Sequence, residues 1–419
     1  MTSLYWFSRI TLVEQEERME ATFQRIYMDH HATTPLDPRV LEVMMPYLTN
    51  EFGNASSNTH AFGWRAKEAV ELARQQVARL IGSSPKEIIF TNGATESDNL
   101  AIKGIAQQYR RKGNHLITSQ IEHSAILESC KMLEKDGFEV TFLPVDQYGM
   151  VDPQDVKEAI TDHTILISII YASNEVGTIN PLSEIGEISQ NHGVLFHSDA
   201  VQGIGKIESN VDTLKVDLMS LTAHKMYGPK GIGALHIRSK RPKIRITPQN
   251  HGGGQEAKIR SGTLNVPSIV GFGKACEIAQ SEMATEAKHL THLRNQLRQR
   301  ISENIDFTHV HGHPEKRLPG NLNISFEFVE SLSLLENLSN IALSTGSACS
   351  ASSIEASRVL VAMGVEEELA RSPIRFGLGR GNTLDQVNFV AAQIVEQVTK
   401  LRDLSSMYKM VRKGGYQTV

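Results

Sequence analysis

The segment Thr222-Ala223-His224-Lys225-Met226-Tyr227-Gly228-Pro229-Lys230-Gly231 places a lysine just after a predicted buried strand. The apolar run Leu218–Leu221 is typical of such a strand, and the Gly-Pro-Lys-Gly turn that follows cannot continue a helix. A lysine held there, partly shielded from water, can lose its proton near neutral pH and condense with a carbonyl group. A solvated turn has the same local pattern, so the rest of the chain has to decide between the two interpretations.

Composition excludes several classes of protein. The chain has 419 residues, of which 40% are hydrophobic and 21% charged, and its net charge is −4. This length allows two domains with sizeable cores, and the charge does not indicate a nucleic acid or an anionic membrane as partner. The three cysteines, Cys130, Cys276 and Cys349, form no CxxC pair. We therefore expect no structural zinc or disulfide framework, and a reducing, cytoplasmic environment.

Continuous apolar runs alternate with amphipathic helices such as Ala66–Ile81 from about residue 65 onward. This alternation predicts an α/β fold with a mainly parallel sheet that is covered on both faces. The predicted strands are Ile88–Phe90, Leu116–Thr118, Val140–Leu143, Ile165–Tyr171, Val194–His197 and Leu218–Leu221.

The pattern changes at residues 275–304, where one long charged helix is predicted. Strands Leu322–Phe328 and Ile374–Leu378 then alternate with helices, which indicates a second, smaller α+β domain with the long helix as hinge. The first residues combine a short apolar patch with acidic residues, unlike a signal or transit peptide. The predicted organisation is an N-terminal arm (1–26), a large domain (27–280) and a small C-terminal domain (281–419).

Several polar residues follow predicted strands, and ligands of open α/β sheets bind at the carboxyl ends of the strands. Gly93-Ala94-Thr95 lies between a strand and a helix, where backbone N–H groups can hold a phosphate, although a plain glycine turn has the same pattern. Asp199 ends an apolar strand, where a carboxylate needs a cation as partner. The 26 positions from Asp199 to Lys225 suit one βαβ crossover. Together they predict pyridoxal phosphate, with its ring nitrogen protonated against Asp199 and its aldehyde on Lys225.

Long motifs in a consistent order resemble the class V aminotransferases of fold type I, and within them the cysteine desulfurases of the NifS and IscS type. The resemblance covers nearly all of residues 26–408 and implies a large domain with a mainly parallel seven-stranded sheet. The motifs are Tyr27–Pro35, Thr91–Asn99, His197–Gln202, Thr222–Gly231, Arg260–Leu264, Gly346–Ser350 and Ile374–Arg380.

The resemblance also implies the cofactor contacts. The phosphate would be held by Ala94, Thr95, Thr222, His224 and, from the second subunit of a homodimer, Thr263. His123 would stack on the ring and shuttle protons, and Gln202 would bond the ring oxygen.

For catalysis, the resemblance implies that Asn174 and Arg375 bind the carboxylate of L-cysteine and that Lys225 removes the α-proton. Cys349 would take the sulfur as a persulfide, and alanine would be released. The surrounding residues, Ser344–Ser353, are small and polar, which predicts a solvent-reachable loop in which a thiolate can form. Cys130 and Cys276 lie in helical patterns and are predicted to pack in the core.

Three alternatives remain at this point. The same scaffold could serve a selenocysteine lyase or another class V enzyme, or a non-catalytic homologue could act as a partner module. The sulfur acceptor would be an iron–sulfur scaffold or a tRNA-thiolation carrier, although the C-terminal residues Val411–Val419 lack the acidic, aromatic tail usual for scaffold docking. His309, His311 and His313 alternate as metal ligands could, but also as in an exposed strand, and we predict no metal site.

Overall fold

The computed structural model describes residues 25–239, 241–346 and 356–412. The predicted N-terminal arm lies almost wholly outside these ranges. The strands are β1 (Ile26–Tyr27), β2 (Ile88–Thr91), β3 (His115–Ser119), β4 (Glu139–Leu143), β5 (Thr164–Ser168), β6 (Leu195–Asp199), β7 (Leu218–Thr222), β8 (Gly233–Ile237), β9 (Thr308–His311), β10 (Asn321–Phe326), β11 (Ile341–Ala342) and β12 (Pro373–Gly377). The helices are α1 (Pro38–Thr49), α2 (Ala61–Leu80), α3 (Ala94–Tyr109), α4 (Ser124–Lys135), α5 (Pro153–Ala159), α6 (Leu182–His192), α7 (Val266–Asn304), α8 (Ser331–Glu336), α9 (Arg358–Ala362), α10 (Glu367–Ala370), α11 (Leu384–Leu404) and α12 (Ser406–Arg412).

Seven strands form the main sheet, in the order β2-β8-β7-β6-β5-β3-β4. All neighbours are parallel except β8, which runs antiparallel to β2 and β7. Every residue of β3, β5, β6 and β7 is buried, which explains their continuous apolar runs. The predicted mainly parallel sheet is therefore confirmed, while β8 was missed because Gly233–Ile237 is short and follows directly on a glycine-rich turn.

Helices pack on both faces of this sheet, and each face has its own hydrophobic core. Val70, Phe196 and Phe272 belong to one core, and Ile102 and Leu116 to the other. α2 begins five residues earlier than predicted. Its N-cap is His60, whose Nδ1 accepts a hydrogen bond from the backbone N–H of Gly63 at 3.2 Å.

The 39-residue helix α7 connects the main sheet to a second core. Its first part, with Phe272 and Cys276, packs on the main sheet, whereas Leu293 and Leu297 pack on the antiparallel sheet β12-β10-β9. α7 begins nine residues earlier than predicted, since the side chain of Asn265 caps its first turn. The core of the antiparallel sheet is separate from those of the main sheet, which supports the proposed division into two domains. The boundary at residue 280 remains a prediction.

Cys130 and Cys276 are buried in the two cores of the main sheet, as predicted. Burial raises the pKa of the Cys130 thiol to about 12 and also raises that of Cys276, so both stay protonated and unreactive. Among the described residues, no helix is both long and apolar enough to traverse a lipid bilayer.

Candidate active site

A cleft of about 860 Å³ opens at the carboxyl edge of the main sheet. Strands β3, β5, β6 and β7 end here, so the residues that follow them converge although they are distant in sequence. The cleft is lined by ten residues that the sequence nominated: Ala94, Thr95, His123, Asn174, Asp199, Gln202, Thr222, His224, Lys225 and Arg375. Their shared location is a structural fact, and their individual roles remain predictions.

Lys225 is held by the segment that follows β1. Its Nζ donates hydrogen bonds to the backbone carbonyls of His31, at 2.6 Å, and Ala32, at 2.5 Å. Thr34 fastens the same two segments together, because its Oγ1 donates to the carbonyl of His224 and accepts from the N–H of Tyr227. The amine of Lys225 is thereby fixed at the end of β7, facing the cleft.

Asp199 lines the floor of the cleft, and a second buried carboxyl group, that of Asp98, lies next to it. Asp199, the last residue of β6, is 4% exposed and accepts from the N–H of Val201 at 2.9 Å. Asp98 on α3 is fully buried, and candidate ligand atoms of Asp98, His123 and Asp199 lie within 4.8 Å of one another. Burial raises the pKa of both carboxyl groups, and Asp199 raises that of Asp98 further. A cation in the cleft would relieve this cost.

The sequence analysis assigned no role to Asp98. Asp98 lies within the motif Thr91–Asn99, at the start of the predicted helix, and in the structure it falls on the buried face of α3. Which face of a helix is buried depends on how the helix packs, and a single carboxylate on a helix is usually exposed. The sequence alone therefore does not reveal that Asp98 is buried.

The N-terminus of α3 forms another wall. Gly93 is the N-cap, with φ of 149°, and no atom lies within 4 Å of the position a side chain would take. The helix therefore offers its first N–H groups and positive dipole end to the cleft. His224 also lines the cleft, and its imidazole is neutral because burial and the nearby Lys225 lower its pKa to about 4.

Thr263 is exposed and does not line the cleft of its own chain. Its segment is tied to the cleft through Arg260, whose Nε donates to Glu96 Oε1 on α3 at 2.8 Å. Glu96 also accepts from the N–H of Asn92, before the N-cap. Thr263 is therefore an exposed residue on a segment that is joined to the first turn of α3.

Gln202 is oriented by two contacts. Its Nε2 donates to the carbonyl of His31, and its Oε1 accepts from Lys206 Nζ, both at 2.9 Å. Lys206 was not singled out by the sequence analysis, because a lysine in a glycine-containing turn looks solvated.

Arg375 lies in the middle of β12 and is 1% exposed. Its Nη1 donates to the carbonyls of Asn174, at 3.0 Å, and Gly346, at 2.7 Å, and its Nη2 bonds Asp29 at 2.8 Å. Its Nε has no partner among the described residues. A buried guanidinium with an unused donor beside a cleft is suited to bind a carboxylate.

Cys349 lies outside the described residues. The described chain on either side of it comes to the cleft: Gly346 contacts Arg375, and Ser357 Oγ donates to the buried carboxylate of Glu175. Residues 346 and 357 are therefore both anchored next to Asn174 and Arg375.

The three alternating histidines do not converge on one site within the described ranges. His309 pairs with Glu327, and His311 bonds Ser325. His313 instead accepts from the backbone N–H groups of residues 315 and 316.

Comparison with known proteins gives consistent results. The sequence profile of the family described as Aminotransferase class-V matches residues 26–390. "Cysteine desulfurase IscS" of Anaeromyxobacter sp. (strain Fw109-5) is 55% identical over 389 residues, which are 93% of this chain and 96% of that protein. Among solved structures, a "NifS-like protein" superposes with a TM-score of 0.83 at 39% identity, over 90% of this chain and 99% of the other. "SspA in complex with cysteine" has a TM-score of 0.76 at 38% identity, over 85% and 100%.

Proposed function

Since the chain belongs to the class-V aminotransferase family and is a cysteine desulfurase, we propose that its cleft binds pyridoxal phosphate on Lys225 and passes the sulfur of L-cysteine to Cys349. One observation carries this proposal: Lys225, the Asp199 carboxylate and the Arg375 guanidinium face the same cleft. An amine, an anion and a cation are the three groups that the aldehyde, the ring nitrogen and an amino-acid carboxylate require.

The walls of the cleft fit pyridoxal phosphate. The N-terminus of α3, with Ala94 and Thr95, together with Thr222 and His224, suits the phosphate, because helix N–H groups and hydroxyls bind anions. The Asp199 carboxylate on the floor of the cleft suits the protonated pyridine nitrogen. When bound, pyridoxal phosphate supplies an aldehyde that condenses with amines and a ring that accepts electrons.

Several residues of the cleft would orient the cofactor and stabilise the positive charge on its ring nitrogen. Asp199 would keep a proton on the ring nitrogen, since a carboxylate beside that nitrogen favours its charged form. Gln202 has a second N–H available for the ring oxygen, since His31 takes one and Lys206 satisfies its carbonyl. His123, at the start of α4, is placed to stack on the ring and to carry protons.

Arg375 and Asn174 would bind the carboxylate of L-cysteine. The two carbonyls that accept from Arg375 Nη1 hold the guanidinium in one plane, which leaves Nε for the substrate. Lys225, once its amine is displaced by that of the substrate, lies at the strand end where it can remove the α-proton.

Sulfur transfer would then occur at Cys349. Its thiolate attacks the sulfur of the substrate, an S–S bond forms and the Cβ–S bond breaks. The bond electrons stay with the carbon, which is protonated, so alanine leaves and a persulfide remains on Cys349. The anchoring of residues 346 and 357 beside Arg375 supports this assignment.

We also propose that the enzyme is a homodimer. Exposed apolar side chains occur on α1, on α2 and between them, namely Leu41, Met45, Leu48, Phe52, Phe62 and Trp64, and the rings of Phe52 and Phe62 lie 5.5 Å apart. An apolar surface of this kind usually marks a protein interface. A second copy on it would explain why Thr263 does not line its own cleft, as expected if it completes the phosphate site of the partner.

The persulfide would be delivered to an acceptor protein of iron–sulfur cluster assembly or of tRNA thiolation in the cytoplasm. The name IscS of several relatives supports a role in sulfur supply. The test is to load the tagged enzyme with L-cysteine and identify proteins that co-purify and acquire a persulfide.

The cofactor assignment is tested with Lys225→Ala and Asp199→Ala. Purified wild-type protein reconstituted with pyridoxal phosphate should be yellow, and borohydride should attach the cofactor to the Lys225 peptide. Lys225→Ala should lose this label, and Asp199→Ala should lose about 10²–10³-fold in alanine formation, as when a preorganised electrostatic partner is removed. Lys131→Ala, an exposed lysine on α4, is the matched control. A colourless wild type, or a label on another lysine, would contradict the proposal.

A further inference from the structure

A second lysine, Lys206, is connected through hydrogen bonds to Lys225, the lysine that lines the cleft. Lys206 Nζ donates to Gln202 Oε1 at 2.9 Å, and Gln202 Nε2 donates to the His31 carbonyl at 2.9 Å. The same carbonyl accepts from Lys225 Nζ at 2.6 Å. A continuous series of hydrogen bonds therefore runs from one lysine to the other through the residue assigned to the ring oxygen of the cofactor.

Lys206 occupies a position that is unusual for a lysine. It lines a small cavity between the main sheet and α7, together with Glu286, Tyr227 and His31. The cavity volume of about 20 Å³ holds at most one water molecule, so the ammonium depends on protein partners. Burial and the charge of Lys225 lower the pKa of Lys206 to about 7, while Glu286 opposes this.

Other charged and titratable groups also face Lys206. Arg375 adds to the positive potential, and the nearby imidazoles are kept neutral by burial, with pKa values of about 4 for His30 and His224 and a strongly lowered value for His31. Glu286 is thus the opposing negative charge among the groups that influence Lys206. A positive charge at this buried position changes the pKa of the titratable groups next to it.

We propose that Lys206 is a positioning residue of the active site, which acts through Gln202. It holds the Gln202 amide so that Nε2 faces the His31 carbonyl and the ring oxygen of the cofactor. Its positive charge lowers the proton affinity of the Lys225 nitrogen, both as the free amine and when joined to the cofactor. This role rests on the proposed binding of pyridoxal phosphate to Lys225.

The test compares Lys206→Met, Lys206→Gln and Lys206→Arg with the surface control Lys131→Met. In the cofactor-loaded proteins, the visible absorbance is titrated with pH, and its midpoint reports the proton on the Lys225 nitrogen. In the cofactor-free proteins, reductive methylation of Lys225 is followed against pH by peptide mass spectrometry. Circular dichroism confirms that each variant is folded.

Removal of the charge should move both midpoints upward by about one pH unit in Lys206→Met and Lys206→Gln, the order of effect expected of a nearby charge at an effective dielectric constant of about 20. Lys131→Met should keep the wild-type midpoints, and Lys206→Arg, which is charged at every pH, should keep or lower them but not raise them. Lys206→Gln retains a hydrogen-bond donor, so it serves as the neutral variant if Lys206→Met does not fold.

Unchanged midpoints in the neutral variants would overturn the proposal. So would an equal shift in Lys206→Arg, because that result would mean that the shape of the lysine matters and its charge does not. A wild-type protein that takes up no pyridoxal phosphate would contradict the proposed function instead, and the methylation measurement would still report on Lys206.

Discussion

Burial determines which ionisable residues around the cleft carry a charge. His197, on β6, has its pKa lowered to about 3 by burial, and Glu122, next to His123, has its pKa raised to about 8 by the same cause. The neutral histidine and the protonated glutamic acid can therefore sit close to the Asp199 carboxylate. Burial sets the protonation state of each of these residues, so the contribution of each one to stability can be measured as a function of pH.

We predict that Glu122→Gln removes a pH-dependent loss of stability. In the folded protein Glu122 keeps its proton up to about pH 8, whereas its usual pKa is 4.5. Its contribution to stability is therefore full below about pH 4.5 and decreases as the pH rises towards 8. The gain in the variant should grow through this range by at most about 1.4 kcal/mol per pH unit, the limit for one proton.

The measurement is urea denaturation of cofactor-free protein at pH 5, 6, 7 and 8. Gln can accept the same hydrogen bonds from Ser119 Oγ and the N–H of Ile170 that Glu122 accepts now. The exposed Glu128→Gln is the control. A stability difference between wild type and Glu122→Gln that does not change with pH would refute the prediction.

Cys349→Ser separates binding from sulfur transfer. Proton removal needs Lys225 and not the thiol, so this variant should keep its colour and its spectral response to L-cysteine. It should form almost no alanine and carry no persulfide by mass spectrometry. Cys130→Ala is the control and should retain activity, because Cys130 is a buried core residue with a raised pKa. Wild-type alanine formation by Cys349→Ser would show that a nucleophile other than Cys349 takes the sulfur.

At the scale of secondary structure, one arginine joins three elements at the junction of the two cores. Arg380, just after β12, donates its N–H to Tyr227 Oη at 2.6 Å, and its guanidinium lies 4.0 Å from the centre of the Tyr227 ring. It also pairs with Asp37, before α1, and with Glu286, on α7. Tyr227 is two residues from Lys225, so this cluster connects the strand of Arg375 with the lysine segment.

Arg380→Ala should lower the free energy of unfolding by about 1–3 kcal/mol, because it removes the cation that pairs with Glu286 and uncovers the Tyr227 ring, while Asp37 keeps only its pair with Arg39. Arg371→Ala removes an exposed pair with Glu367 and should change it by less than about 0.5 kcal/mol. Denaturant titration of both variants gives the comparison. Equal effects of the two substitutions would show that the Arg380 cluster adds nothing beyond a surface ion pair.

At the scale of the whole molecule, the exposed apolar surface of α1 and α2 is the basis for the homodimer. We predict that Phe52→Asp, at a side chain that is 69% exposed, produces monomers in sedimentation experiments and releases pyridoxal phosphate more readily. The carboxylate would have to be buried unpaired in the interface, which is costly. Leu404→Asp, at an even more exposed residue of α11, should change neither property. A fully loaded, active monomer would contradict the role of Thr263 in the second site.

The sequence alone was sufficient for the parallel sheet and for most of the cleft, for a physical reason. A strand buried on both faces is mainly apolar, and a polar residue that ends it falls at the carboxyl edge of the sheet. Thr95, Asp199 and Lys225 could be nominated from their positions after predicted strands, and the resemblance to the family added Gln202 and Arg375.

The tertiary structure was needed for contacts that depend on how distant segments pack. The burial of Asp98 follows from the face that α3 turns to the sheet, and the placement of Lys206 follows from the closeness of α7. Likewise, Arg375 is held by carbonyls of residues 174 and 346, which no local pattern connects to β12. Local sequence determines which residues form strands and helices, whereas the charge and partners of a buried polar group depend on neighbours brought together only when the whole chain folds.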